Sequence, residues 1–177
     1  MEPDAKKPVL LNIGCGRMIL GGYINVDAYG DPDVKWDLNI IPWPFEDNSV
    51  DGILAAHIFE HLTNWWGAFG ECARILKPGG QLNFRVPHIS SSTATGYRDH
   101  INVFGPESFH GIEGTTSGTN TWAESENNSV PMKILYQELV VFKQYRWMQR
   151  FPKLVIFLAN HFRNFVWEHG FIFIKTR

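Results

Sequence analysis

From residue 9 to residue 87 the chain alternates short apolar runs with Gly, Pro and Asp punctuation, which is the rhythm of strands joined by crossovers in a parallel sheet. The runs predict strands at about 9–13, 23–27, 34–37, 51–56 and 82–87. Between the last two, Phe59, Leu62, Trp65 or Trp66, Phe69, Ala73 and Leu76 recur at helical spacing, and Lys77 followed by Pro78-Gly79-Gly80 predicts the stop. Residues 110–129, "HGIEGTTSGTNTWAESENNS", have no periodicity and are rich in Gly, Thr, Ser and Asn, so they predict a long loop. The last third offers a strand, "MKILYQELVVFK", an amphipathic helix across "FPKLVIFLANHFRNFVWE", and a terminal strand, "GFIFIKT". The expected architecture is one α/β domain over 1–177, with core motifs at 9–88, the loop at 110–129 and a strand-helix-strand unit at 130–177. Its sheet is mostly parallel, and the C-terminal pair supplies the antiparallel edge.

Composition narrows this picture without changing it. With 177 residues, 44% of them hydrophobic and 19% charged, one ordinary core is expected. A formal charge of −2 provides no global field for nucleic acid, so no nucleic-acid partner is expected. Cys15 and Cys72 are too few for a disulfide framework, and no basic start leads into an apolar run of signal type, so a reduced, cytoplasmic setting is expected.

The first strand runs straight into Gly14-Cys15-Gly16. A turn leaving the first strand of a parallel sheet comes close to a ligand only if it lacks side chains. A dinucleotide fingerprint would need a third glycine where Ile19 stands, and a full crossover helix; both are missing. Asp27 closes the next strand, "YINVD", where a carboxylate can hold both hydroxyls of a ribose. A plain turn and a solvated Asp remain open on this stretch alone.

The next stretch shifts the balance toward a ligand-binding turn. "VKWDLNIIPWPFEDNSVDGILAAHIFEHL" followed by "ECARILKPGGQLNFRVPH" resembles the class I S-adenosylmethionine-dependent methyltransferases, specifically the small bacterial type, and the resemblance covers residues 9–88. It implies a three-layer, Rossmann-like α/β sandwich, S-adenosylmethionine as cofactor, and methyl transfer to a small-molecule, sugar or glycan-type acceptor. It also implies a cofactor site of Asn12, Gly14, Cys15, Gly16, Asp27, Asp37, Leu38 and His57, with Asp37 and Leu38 at the adenine and His57 beside the methionine half. Two departures stand out. Asp27 follows Gly14 so soon that the first helix is reduced to a turn around Met18 to Leu20. Asn12 occupies the position where the family often has a carboxylate.

Such chemistry asks for alignment and the exclusion of water, and for a base only when the acceptor is protonated. The candidates are His57, His88 and His100, with Glu60, Tyr97 and Asp99 behind them and His61 and His110 ranked lower. The loop 110–129 would cover the acceptor pocket.

Two other classes compete with this reading. One is a domain of the same fold that binds cofactor or partner without catalysis. The other is a zinc hydrolase, because "HIFEH" is a literal H-x-x-E-H in which His57 and His61 would ligate zinc and Glu60 serve as base. The strand reading of "VDGILAA" puts His57 at a strand end and breaks the helix that this site needs, so no metal is expected.

Charge is segregated along the chain. From Lys143 to Trp167 there are five basic residues, Lys143, Arg146, Arg150, Lys153 and Arg163, and no acidic one. In the helix expected at 151–167, Leu154, Val155, Leu158, Phe162, Phe165 and Val166 form an apolar stripe. The plain expectation is a helix covering the sheet; the sharper one is a membrane-surface or partner contact through 143–167.

Overall fold

The computed structural model describes residues 7–109, 112 and 130–176. The expected loop at 110–129 therefore lies outside the described residues except for Ile112. The strands are β1 (Leu10–Ile13), β2 (Ile24–Asp27), β3 (Val34–Lys35), β4 (Val50–Ala56), β5 (Leu76–Pro87), β6 (Met132–Val141) and β7 (Val166–Lys175). They form one sheet in the order β3-β2-β1-β4-β5-β7-β6. The first five pair in parallel, and β7 runs antiparallel between β5 and β6. This is the mixed sheet that the apolar pattern implied, with its antiparallel part at the C-terminal side.

One face of the sheet is fully buried. Ile53 and Ala55 of β4, Leu82, Phe84 and Val86 of β5, and Phe171 and Phe173 of β7 alternate with half-buried neighbours, as period-two strands require. Helix α1 (Trp65–Ile75) lays Ala68, Phe69, Cys72, Ala73 and Ile75 onto the core. Phe84 is the hub of an aromatic cluster, with ring centroids 4.5 Å from Phe59, 5.2 Å from Phe109 and 5.6 Å from Phe104. Such pairs add about 0.5–1.5 kcal/mol each beyond the area they bury.

The periodicity beginning at Phe59 is not one helix. Phe59–His61 is a single 3-10 turn, Leu62 is extended, and α1 starts only after Asn64, whose side chain accepts from the Gly67 amide at 3.1 Å. The polar pair Thr63-Asn64 explains the break. Asn39 Oδ1 accepts both the Thr63 amide at 2.8 Å and its hydroxyl at 2.9 Å, so the chain is tied to the loop after β3 instead of continuing helically. Pro78-Gly79-Gly80 is not the helix stop either. The helix ends at Ile75, and the glycines lie in the irregular first part of β5.

The link from β1 to β2 is the fold's most unusual local feature. Parallel neighbours are normally joined by a dozen or more residues that include a helix, whereas here residues 14–23 make the whole crossover without one. Two buried asparagines replace the missing helix. Asn12 Nδ2 donates to the Met18 carbonyl at 2.7 Å and to Asn25 Oδ1 at 3.0 Å. Asn25 Oδ1 also accepts the Leu20 amide at 2.9 Å, while Asn25 Nδ2 donates to Asp33 Oδ2 at 2.8 Å. Turn backbone that a helix would have satisfied internally is satisfied by side chains. The Asn25 donors, backbone first, hold the Asp33 carboxyl below its usual range.

At the other end, a 3-10 segment (Lys143–Arg150) and helix α2 (Pro152–His161) join β6 to β7. The helix is shorter than the one expected at 151–167. Phe162 is extended, Asn164 takes a positive φ of 62°, and Val166 opens β7. Asn164 pins that turn, donating its amide to the Ser90 carbonyl at 2.9 Å and accepting the Ser92 amide at 2.6 Å. Phe165 and Val166 therefore leave the helical stripe, because pairing with β6 and β5 claims the chain there. A second small core of Val141, Met148, Val155, Ala159 and Val166 holds this corner. Trp147, Phe151, Leu154, Ile156, Phe157 and Phe162 remain exposed. Among the described residues no helix is long and apolar enough to cross a membrane.

Candidate active site

A cleft of about 600 Å³ opens beyond the carboxyl ends of β1, β2, β3 and β4, the place where open parallel sheets bind ligands. Its volume falls within the range of small-molecule sites, roughly 300–1,000 Å³. Gly14 and Gly16 leave β1 at its edge with φ of +62° and +50°. A Cβ on Gly14 would come within 2.4 Å of the Ile58 side chain, so the turn can take this path only without one. Gly16 faces open space.

Asp27 ends β2 at the cleft wall. Its Oδ2 accepts the Gly16 amide at 2.8 Å and its Oδ1 the Tyr29 amide at 2.9 Å, so the carboxylate is oriented by the glycine turn itself. Each oxygen retains a second lone pair toward the cleft. Asp37 follows β3, and its Oδ1 is held by the Asn39 backbone amide at 2.9 Å and side-chain amide at 3.1 Å. Trp36 and Leu38 flank it on the cleft wall.

His57 directly follows β4 with a φ of 56°, an unusual conformation for a residue with a side chain. Its Nε2 lies 2.9 Å from Glu168 Oε2, its Nδ1 3.3 Å from Glu60 Oε1, and its ring stacks on Trp167 at 5.5 Å. The Glu168 hydrogen bond, reinforced by Glu60, lifts the imidazole to about 9. Both ring nitrogens then carry protons at neutral pH, and His57 presents a cation to the cleft, not a base. Burial alone would raise the Glu168 carboxyl, but His57 and Arg85 together hold it below its usual range, with Arg85 donating at 2.6 Å.

Of the eight cofactor residues expected from the sequence, six line this one cleft: Gly14, Gly16, Asp27, Asp37, Leu38 and His57. Asn12 and Cys15 do not. Asn12 is buried and its amide nitrogen is spent on the crossover. Cys15 is buried beneath the turn, where desolvation and then Asp27 push its thiol up.

The catalytic candidates separate in the same way. His88 is buried away from the cleft, with Nδ1 on Ser90 at 2.8 Å and its ring 5.4 Å from His169. His61 and Asp99 line the cleft. His100 packs edge-on against His61 at 4.8 Å. His57 and His61 do not share a helix, because a strand end and a 3-10 turn separate them.

Glu168, Arg85 and Trp167 were missed by sequence reasoning. A lone acid inside the apolar run "VWEHGFIFI" was the available signal, since a buried carboxylate in a strand needs a partner.

A cleft beyond the carboxyl ends of the strands, where an open α/β sheet reverses its strand order, is a place for a small ligand. Residues 31–84 match the family model for a methyltransferase domain. An S-adenosylmethionine-dependent methyltransferase from Archaeoglobus fulgidus superposes with a TM-score of 0.61 at 17% identity, covering 96% of this chain and 87% of that one. One from Mesorhizobium loti gives 0.57 at 13%, covering 98% and 93%. Phosphoethanolamine N-methyltransferase 2 of Haemonchus contortus, solved with S-adenosyl-L-methionine, gives 0.58 at 15%, covering 99% of this chain and 50% of that one. No curated protein matches. The chain thus has the fold of S-adenosylmethionine-dependent methyltransferases, and its residues 31–84 are similar to a methyltransferase domain.

Proposed function

We propose that the protein transfers a methyl group from S-adenosylmethionine to a small-molecule, sugar or glycan-type acceptor bound at the His57, His61 and Asp99 end of the cleft. The observation that carries this reading is the shared cleft. Two oriented carboxylates, a glycine turn, apolar side chains and two imidazoles line one cavity.

The donor set fits the cofactor. Asp27 offers two fixed acceptor oxygens to a ribose diol. The second oxygen of Asp37, without a partner among the described residues, faces an adenine amino group, and Trp36 and Leu38 supply apolar contact. The bound cofactor supplies a methyl group already activated on a sulfonium. What remains for the chain is to align the acceptor, exclude water and hold charge in place. The His57 cation, clamped by Glu168 and Glu60, suits a carboxylate or another electron-rich group in the cleft.

Calorimetry with S-adenosylmethionine and S-adenosylhomocysteine tests the reading, followed by transfer of a labelled methyl group to candidate sugars and small metabolites. Binding is expected for both compounds; no heat from either would remove the assignment. The shortened crossover and the engaged Asn12 favour one alternative, a domain that binds the cofactor without turnover. Tight binding with no transfer to any acceptor would select it.

We further infer that the corner at 143–167 touches an anionic membrane surface. Lys143, Arg146, Arg150, Lys153 and Arg163 are all exposed, with no acidic residue among them, and they interleave with exposed Trp147, Phe151, Leu154, Ile156, Phe157 and Phe162. Side chains that a sheet-covering helix would bury point outward here, beside the charges that anionic headgroups attract.

A further inference from the structure

The turn after β4 carries a cluster of possible metal ligands at the edge of the cleft. Glu60 is 1% exposed, and neither of its carboxylate oxygens accepts a hydrogen bond among the described residues; the 3.3 Å approach of His57 Nδ1 to Oε1 is an ion pair outside hydrogen-bond geometry. A buried carboxylate with open acceptor sites is rare and calls for a physical reason. Next to it, His100 Nδ1 is also buried without a partner. One ligand atom each from Glu60, His61 and His100 lies within 4.8 Å of the other two.

We propose that Glu60, His61 and His100 bind one divalent transition-metal ion of the zinc type. Two imidazoles and one carboxylate form a three-ligand set that suits zinc and leaves a coordination position open, whereas calcium and magnesium prefer all-oxygen sites. Tetrahedral bonds of about 2.0–2.1 Å space ligand atoms roughly 3.3 Å apart, so modest side-chain rotations close the present separation. The surroundings are arranged as metal sites usually are. His61 Nδ1 donates to the Asp99 carbonyl at 3.0 Å, which fixes the ring and leaves Nε2 for the ion.

The two chain segments that supply the ligands are clipped together. Ile101 and Asn102 donate their amides to the Glu60 carbonyl at 2.9 and 3.0 Å, and Asn102 Nδ2 donates to the Phe59 and Leu62 carbonyls at 3.1 and 2.6 Å. The H-x-x-E-H motif thus contributes only its second half. His57 is held by Glu168, and His100, 43 residues downstream of it, takes its place in the ligand set.

His61 and Asp99 line the cleft, so the open position faces the acceptor end; to the extent that the methyl-transfer reading holds, an acceptor oxygen is the natural fourth ligand. The metal site itself does not depend on that reading.

The test uses the protein stripped by a chelator and titrated calorimetrically with zinc chloride, with magnesium chloride in parallel and no cofactor present. One zinc per chain and no magnesium response are expected. His61→Ala, His100→Ala and Glu60→Gln should each weaken zinc binding by more than the roughly 10–100-fold that loss of an outer partner costs. His161→Ala, at the exposed end of α2, should leave it unchanged. Should Glu60→Gln fail to fold, cobalt(II) carries the test: visible absorption from a low-symmetry site in the wild type, lost in His100→Gln. The proposal is overturned if the wild type takes up no zinc, or if its affinity survives the histidine substitutions. A failure of methyl transfer leaves this readout untouched.

Discussion

Asn12 and Asn25 stand opposite one another on the neighbouring parallel strands β1 and β2, joined by a side-chain hydrogen bond of 3.0 Å. Between them they satisfy the polar backbone of a crossover too short for a helix. Asn12→Leu or Asn25→Leu should therefore cost stability out of proportion to one bond. Each substitution strands several buried partners, and each stranded group costs roughly 1–3 kcal/mol. Urea unfolding of both variants measures this. A loss below about 0.5 kcal/mol would show that water replaces the network without difficulty.

Asp27 and Asp37 approach the cleft from the ends of different strands, and each is oriented by backbone amides. Asp27→Asn and Asp37→Ala should leave the melting temperature nearly unchanged while weakening S-adenosylmethionine binding about ten- to a hundred-fold, equivalent to roughly 1.5–3 kcal/mol per lost charge-assisted bond. Unchanged titration curves for both variants would remove these residues from the cofactor site.

His169 is fully buried in β7, accepting from Gln137 Nε2 at 2.8 Å, and desolvation followed by His88 pushes its imidazole down to about 3. The unfolded chain binds a proton near pH 6.5 that the folded chain refuses. The stability associated with neutral His169 is thus fully present above about pH 6.5 and is lost progressively as the pH falls toward about 3. Melting temperature against pH should show this acid slope, and His169→Gln should flatten it. An equal slope in both proteins would assign the acid sensitivity to other groups.

The exposed basic and apolar corner should sediment with anionic vesicles and not with neutral ones. Each basic residue near the surface contributes about 1 kcal/mol, screened over about 8–10 Å at moderate ionic strength. Arg146→Glu with Arg150→Glu should abolish the binding, as should raised salt, without altering cofactor affinity. No sedimentation at low salt would leave these side chains without a lipid role.

The sequence by itself determined the strands of the parallel core, the glycine turn and the acidic strand end. Each of these is a local demand: a period-two apolar run, a turn without side chains, a carboxylate where a strand stops. Asp37, Leu38 and His57, singled out by the short motifs from 31 to 88, line one cleft. The tertiary structure alone decided which polar residues face that cleft. Asn12 looked like a cofactor ligand until Asn25, thirteen residues away in sequence, claimed its amide. His88 looked catalytic until it was buried against His169. His57 looked like a base until Glu168, 111 residues away, turned it into a cation. The same holds for Glu60, His61 and His100, which no local spacing connects and which hydrogen bonds from Ile101 and Asn102 draw together. Helix ends followed this rule as well: Thr63 and Val166 left helical periodicity because Asn39 and the β6 and β5 ladders offered better hydrogen bonds. Periodicity reports which side of an element is apolar, but the partner of a buried polar atom is set by chain segments that meet only in the folded sheet.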